Sequence, residues 1–127
     1  MATHRVFISF EMEDRWARDF LKQQSSRRAG GPSFVDFSVK DPYDRAWKTE
    51  CRKQIARTRG TIVLIGSTTY ASVAVAWEIE ETKRQSHRLL GMQINANKSH
   101  PIPSGIKSSQ VIPWNLDKVT AHVSSWD

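Results

Sequence analysis

The residues best placed to do chemistry are three carboxylates crowded onto one segment, Ser72–Glu81 (SVAVAWEIEE). At about 100° per residue on a helix, Glu78 falls on the side shared by Ala74, Val75 and Thr82. Glu80 points nearly opposite and has Arg84 at i+4, which reads as an exposed ion pair. Glu81 lies between Glu78 and Trp77 in azimuth, with Arg84 at i+3. Glu78 lacks a basic residue at i+3 or i+4, and its small neighbours would leave a cleft beside it. That makes it the candidate catalytic carboxylate. On spacing alone the plainer account is the stronger: a helix with a negative first turn, favoured by its dipole.

Other chemistries are disfavoured. The chain has neither G-x-G-x-x-G nor G-x-x-x-x-G-K-[ST], so standard dinucleotide and P-loop binding are not expected. His4, His87, His100 and His122 lack metal-ligand spacing with one another or with Cys51, so no metal is expected. Cys51 shares a helix face with Trp47 and Ile55 at four-residue intervals and reads as a small core residue rather than a nucleophile. As the sole cysteine it excludes an internal disulfide and agrees with a reducing compartment, the cytoplasm.

The elements that must position these residues alternate between the two helical and extended patterns. Arg5–Phe10 (RVFISF), Phe34–Phe37 (FVDF), Thr61–Ile65 (TIVLI), Leu89–Ile94 (LLGMQI) and Gln110–Pro113 read as strands, the third as a central buried one. Between them lie helices over Glu13–Gln24, from an Asp41–Pro42 N-cap and N1 to about Thr58, and over Val73–Ser86. Leu116–Ser124 is the last. Met12, Trp16 and Phe20, at i, i+4 and i+8, predict the buried stripe of the first helix. With right-handed crossovers this is one α/β domain over residues 1–127, a doubly wound five-stranded parallel sheet with helices on both faces. Ligands in such a sheet sit outside the carboxyl ends of the strands. Residues Phe10–Asp14, Asp36–Tyr43, Gly66–Tyr70 and Asn95–His100 therefore form the expected functional rim.

Composition fits that picture. A chain of 127 residues with 39% hydrophobic content suits one soluble domain, and its longest apolar runs are far shorter than the roughly 20 residues of a membrane span. No signal-peptide pattern opens the chain. The 19 Lys/Arg against 13 Asp/Glu give a net charge of +6, attractive to anions. The basic residues are spread out and not interleaved with aromatics, so nucleic acid is disfavoured as a partner.

The sequence resembles the TIR-like family that includes the NAD-consuming subunit of Thoeris anti-phage systems. The match rests on VFISF at Val6–Phe10 followed by Glu13–Trp16, FVDFSVKDPYD at Phe34–Asp44 with Trp47–Lys48, and IVLIGSTTY at Ile62–Tyr70. It continues through Trp77–Glu78–Ile79 with Glu80–Glu81, HPIP at His100–Pro103 and VIPWNLDKV at Val111–Val119. The resemblance implies a flavodoxin-like, three-layer TIR fold and an NAD+ glycohydrolase or cyclase of anti-phage defence making an ADP-ribose-type signal, linear or cyclic. NAD+ is then substrate, with no cofactor, and the product diffuses to a signal-reading effector protein. A glutamate early in the helix after the third strand is catalytic in TIR enzymes, within W-x-x-x-E or W-E-I. Trp77–Glu78–Ile79 fits the second form and gives the role to Glu78. Reading the first form from Trp77 chooses Glu81 instead, and Ala74 stands where a tryptophan would anchor it on Glu78.

The carboxylate is expected to face a nucleotide-sized hollow beyond the sheet's upper edge. The rest of that pocket is expected from Phe10, Glu11, Asp14 and Arg15, from Phe37 and Ser38, from Gly66 and Ser67, and from Trp77. Asp14 and Arg15 read equally well as helix-start charges, and Ser67 or Thr68 as a cap of the next helix. The resemblance also implies self-association through the loop bearing Lys40, Pro42 and Tyr43. Two rival readings stand beside the enzyme: a non-catalytic self-association and signalling module, and a flavodoxin-like nucleotide or phosphate sensor.

Overall fold

Two runs of aliphatic and β-branched residues, RVFIS and GTIVLI, form neighbouring strands at the middle of a sheet whose other members flank them. The computed structural model describes residues 4–27, 32–36 and 41–126. Strands β1 (Arg5–Ser9), β2 (Ser33–Val35), β3 (Gly60–Ile65), β4 (Arg88–Gln93) and β5 (Val111–Ile112) are arranged in the order β2-β1-β3-β4-β5, and every pair is parallel. Helices α1 (Arg15–Ser26), α2 (Arg45–Ala56), α3 (Val73–Arg84) and α4 (Leu116–Ser124) complete three layers. This is the flavodoxin-like α/β sandwich, and its strand order reverses between β1 and β3.

Side-chain alternation along the strands divides the core. Val6 and Ile8 of β1 and Ile62 and Leu64 of β3 pack with Ala17 and Leu21 of α1 and Val119 and Val123 of α4. Phe7 faces the other way, onto Trp47, Cys51 and Ile55 of α2 and Ala74 of α3, while Val63 and Ile65 meet Val75 and Ile79. All six residues of β3 are buried, as an apolar run covered on both faces requires.

Three expectations need correction. The buried stripe of α1 is Ala17, Leu21 and Ser25, whereas Met12, Trp16 and Phe20 are exposed. The helix starts at Arg15 after a 3₁₀ turn at Met12–Asp14, and Ala17, Leu21 and Ser25, not its aromatics, fit against the sheet. Phe20 instead stacks on Trp114 at a centroid distance of 5.7 Å. The cap of α2 is Asp44, which accepts from the Ala46 N–H at 2.7 Å; Asp41 and Pro42 precede the helix in a turn. The second strand runs Ser33–Val35, ending before Asp36; Phe37, Ser38 and Lys40 lie outside the described residues.

Helix α3 ends in a Schellman arrangement: the Ser86 N–H donates to the Lys83 carbonyl and the His87 N–H to that of Thr82. That geometry puts Ser86 at φ 59°, a left-handed conformation glycine takes more readily. Ser86→Gly is expected to stabilise the fold by about 0.5–1 kcal/mol, the relief of a side chain from this region less the entropy glycine adds to the unfolded chain. A thermal melt should show a rise of about 2–4 °C; an unchanged or lower midpoint would contradict it.

Candidate functional site

Ser9 is the last residue of β1 and shares a face with Phe7, so its hydroxyl points between α2 and α3. There Ser9 Oγ donates to Glu78 Oε1 at 2.5 Å, and Cys51 Sγ on α2 lies 3.7 Å from Oε2. One turn along α3, Thr82 Oγ1 donates to the Glu78 carbonyl at 2.8 Å and sits 2.7 Å from Thr61 Oγ1 on β3. Because the single Thr82 proton is used on that carbonyl, Thr61 is the donor to Thr82. Ser9, Thr61, Glu78 and Thr82 thus form a polar seam between sheet and helix, and all four side chains are buried. Polar groups persist in such a place only when hydrogen-bonded.

Glu78 has no exposed surface, and it lines neither of two cavities of about 690 and 320 Å³. Among the described residues no open hollow lies beside it: the β1 hydroxyl and the α2 thiol stand on the carboxyl's side of α3. The first-turn dipole account fails as well. With Ser72 as N-cap, its Oγ accepting from the Val75 N–H at 3.1 Å, α3 has no acid in its first turn. Neither Ser67 nor Thr68 caps α3.

Glu81 is equally buried and serves a different purpose. Its oxygens meet Arg84 Nη1 at 2.7 Å, Gln85 Nε2 at 2.8 Å and Arg52 Nε of α2 at 3.4 Å, so it ties α3 to α2. Two guanidinium groups already match its charge. Glu80 pairs with Lys83 at 3.6 Å rather than with Arg84, whose guanidinium is drawn to the more buried Glu81.

A second acidic group stands where the strand order reverses. The Asp14 carboxyl, 6% exposed, is pressed onto Gly66 just past β3. Its Oδ2 is buried without a hydrogen-bond partner among the described residues. Desolvation pushes its pKa above the ordinary 3.8, helped by the charges of Glu13 and Glu11 and opposed by His100. Around it, the Gly66 N–H donates to Thr69 Oγ1 at 2.8 Å, and Thr68 Oγ1 donates to Glu13. His100 Nε2 is 2.7 Å from Asn95 Oδ1, and the Gln93 side chain holds the His100 backbone from both its N–H and its carbonyl.

The raised pKa fixes a sign for stability. The folded state holds the Asp14 proton more tightly than the unfolded chain, so stability falls as pH rises from about 3.8 through the raised value. Asp14→Asn, which cannot ionise, is expected to melt higher than the parent at pH 7, with the gap narrowing toward pH 3.5. Parallel melts across that range test it, and a gap that persists or widens in acid would refute the assignment.

The remaining rim residues scatter. Phe10 is fully buried on the α1–α4 side, with the Arg18 guanidinium 5.0 Å from its ring centroid, and so is separated by the sheet from Glu78. Glu11 is half-buried, and Arg15 and Ser67 are exposed. Trp77 is half-buried against Trp47, centroids 5.3 Å apart, with Arg52 5.7 Å over its ring. Pro42 is half-buried and Tyr43 is 81% exposed, ahead of α2. The spacing does not single out Ser9, and Asp36, expected on the rim, has a structural use. Asp36 ion-pairs with Arg18 at 2.8 Å and Lys22 at 2.7 Å, fastening the end of β2 to α1. The alternation RVFIS carried the only advance signal for Ser9, placing it on the Phe7 face.

Compared with known proteins, residues 7–99 match the family model described as Thoeris protein ThsB, TIR-like domain. Among solved structures, the chain is similar to the TIR domain of the Toll-related receptor TRR-2 from Hydra magnipapillata. The two share 21% identity and a TM-score of 0.64, over 95% of this chain and 91% of that one. No curated protein sequence matches. A receptor domain this distant in sequence speaks to the fold, which it shares along nearly its whole length. The family match extends from β1 to the loop after β4 and takes in both Glu78 and Asp14, and on that ground the chain belongs to the TIR-like domain family of the Thoeris protein ThsB, a family of anti-phage defence.

Proposed function

We propose that this domain cleaves NAD+ at the nicotinamide–ribose bond, with Glu78 as the catalytic carboxylate. One observation carries the reading. A carboxyl group with no exposed surface is held at the carboxyl end of β1, within the Trp77–Glu78–Ile79 context of α3. Placing an acid there is costly to the fold, and such placements concentrate at working sites. In the reaction, the C1′–N bond breaks and its electron pair leaves with nicotinamide, which departs neutral and needs no general acid. The ribose passes through an oxocarbenium-like state that a nearby carboxylate stabilises. Water adding to C1′ and losing a proton gives ADP-ribose; a nucleophile within the same molecule gives a cyclic isomer.

Because Glu78 has no exposed surface, substrate entry has to displace groups that cover it; Cys51 holds the carboxyl from α2 and the Trp47–Trp77 pair joins α2 to α3. Asp14 and Gly66 supply the polar floor at the β1–β3 switch point. Copies associate through the segment at Pro42 and Tyr43, and the product acts on an effector protein. The enclosure of Glu78 also favours a second reading, a self-associating signalling module in which the seam is structural. Incubating the purified domain with NAD+ separates the two. Nicotinamide release with an ADP-ribose-type product supports the enzyme, while its absence at high protein concentration and under crowding supports the module.

A further inference from the structure

The larger cavity, about 690 Å³, opens at the amino-terminal end of β4, the length of that strand (about 20 Å) from the carboxyl rim. Its volume falls within the range of small-molecule sites. Three cations converge on it from separate elements: Lys83 from the end of α3, Arg88 from the start of β4, and Lys107 from the loop ahead of β5. None of its described lining residues is acidic. Lys83 reaches Glu80 only at 3.6 Å, and Arg88 and Lys107 form no ion pair with another described residue. In the same wall, His87 Nδ1 is buried with no hydrogen-bond partner among the described residues.

The surrounding backbone keeps these groups apart and in place. Gly105, at φ 96°, comes so close to α3 that a Cβ there would stand 2.9 Å from Ile79 Cγ2, so a glycine is needed for the loop to pack this closely along the cavity wall. The Lys107 N–H donates to Gln110 Oε1 at 2.9 Å, fixing the loop that carries the third cation. Trp126, buried against Gly60, closes the wall behind. The carboxyl end of α3 opposes an anion with about half an elementary charge, but the Ser86 and His87 N–H groups cap it and three full positive charges outweigh it.

We propose that this cavity is a second ligand site, taking a small phosphorylated molecule whose phosphoryl oxygens are shared between Lys83, Arg88 and Lys107. A guanidinium fork and two ammonium groups suit phosphate oxygens in number and charge. The site is independent of Glu78 and of the cleavage reaction. The experiment is calorimetric titration of the full chain with inorganic pyrophosphate at low salt, with amide chemical shifts followed in parallel. Saturable one-to-one binding is expected, with shifts clustered at residues 83–89 and 105–110. Lys83→Gln with Lys107→Gln should weaken it at least tenfold at an unchanged melting temperature, both side chains being exposed, whereas Lys118→Gln on α4 should match the parent. Unsaturable binding, equal affinity in the double variant, or shifts confined to Asp14 and Gly66 would overturn the proposal. So would binding of a single-stranded oligonucleotide or phosphatidylserine vesicles with none of pyrophosphate, since those point to a polymer or membrane partner.

Discussion

Glu78→Gln is expected to lower nicotinamide release from NAD+ by at least about 100-fold, the scale of removing one preorganised electrostatic group from a reaction centre. The substitution is chosen for what it keeps. Glutamine has the same length and retains an oxygen able to accept from Ser9 Oγ, so the seam of Ser9, Thr61 and Thr82 stays bonded. What disappears is the negative charge that meets a cationic ribose. The loss should fall on kcat more than on KM, because the charge matters most where the glycosidic bond is breaking. Glu78→Ala is the poorer probe: it leaves a buried hydroxyl without its acceptor and a void in the α2–α3 interface, together about 2–4 kcal/mol of stability. A Gln variant that turns over NAD+ at the parent rate would remove Glu78 from the mechanism and leave the signalling module as the standing account.

Gly66→Ala is expected to destabilise the domain by about 2 kcal/mol, within the usual range for overpacking a tight site. A methyl group on this residue would lie 2.3 Å from Asp14 Oδ2 and 2.7 Å from its Cγ, closer than real atoms approach, so the carboxyl must be driven from its seat. The backbone there needs no left-handed conformation, so the penalty arises from packing, and the three nearest atoms all belong to the Asp14 carboxyl. This makes the effect conditional. In an Asp14→Ala background the same change should cost little, giving a coupling of more than about 1 kcal/mol in a double-mutant cycle. Chemical denaturation of the four proteins measures it. Equal penalties in both backgrounds would show that Asp14 and Gly66 do not share the packing described here. Under the cleavage reading, Gly66→Ala also displaces an acid from the switch point and should reduce turnover along with stability.

How much of this was legible beforehand depended on how far apart the partners lie. β3 could be read from TIVLI because a strand covered on both faces is apolar throughout, and Trp47, Cys51 and Ile55 marked the buried face of α2 by spacing alone. The Glu81–Arg84 pair was equally local, three residues apart on one helix. The stripe on α1 misled because periodicity finds a face without saying which way it turns. Met12, Trp16 and Phe20 repeat as faithfully as Ala17, Leu21 and Ser25, and only the sheet decides between them. The site was least legible where it mattered most. Ser9 and Glu78 are 69 residues apart, and Asp14 meets Gly66 only because β1 and β3 are neighbours. The cations of the larger cavity likewise come from three separate stretches of chain, each an ordinary surface charge when taken alone.

The strand order also dictates a timetable for synthesis. All neighbouring strands run parallel, so none of them can zip up through a hairpin; each pairing waits for a crossover to be made. β1 is finished at Ser9, but the neighbour that covers its inner edge, β3, is complete only at Ile65, and β3 in turn waits for β4 at Gln93. At about 5–20 residues per second, the emerging chain carries an open, apolar strand edge for several seconds. That interval is when a ribosome-bound chaperone has most to protect, and when crowded neighbouring chains are most apt to pair with one another.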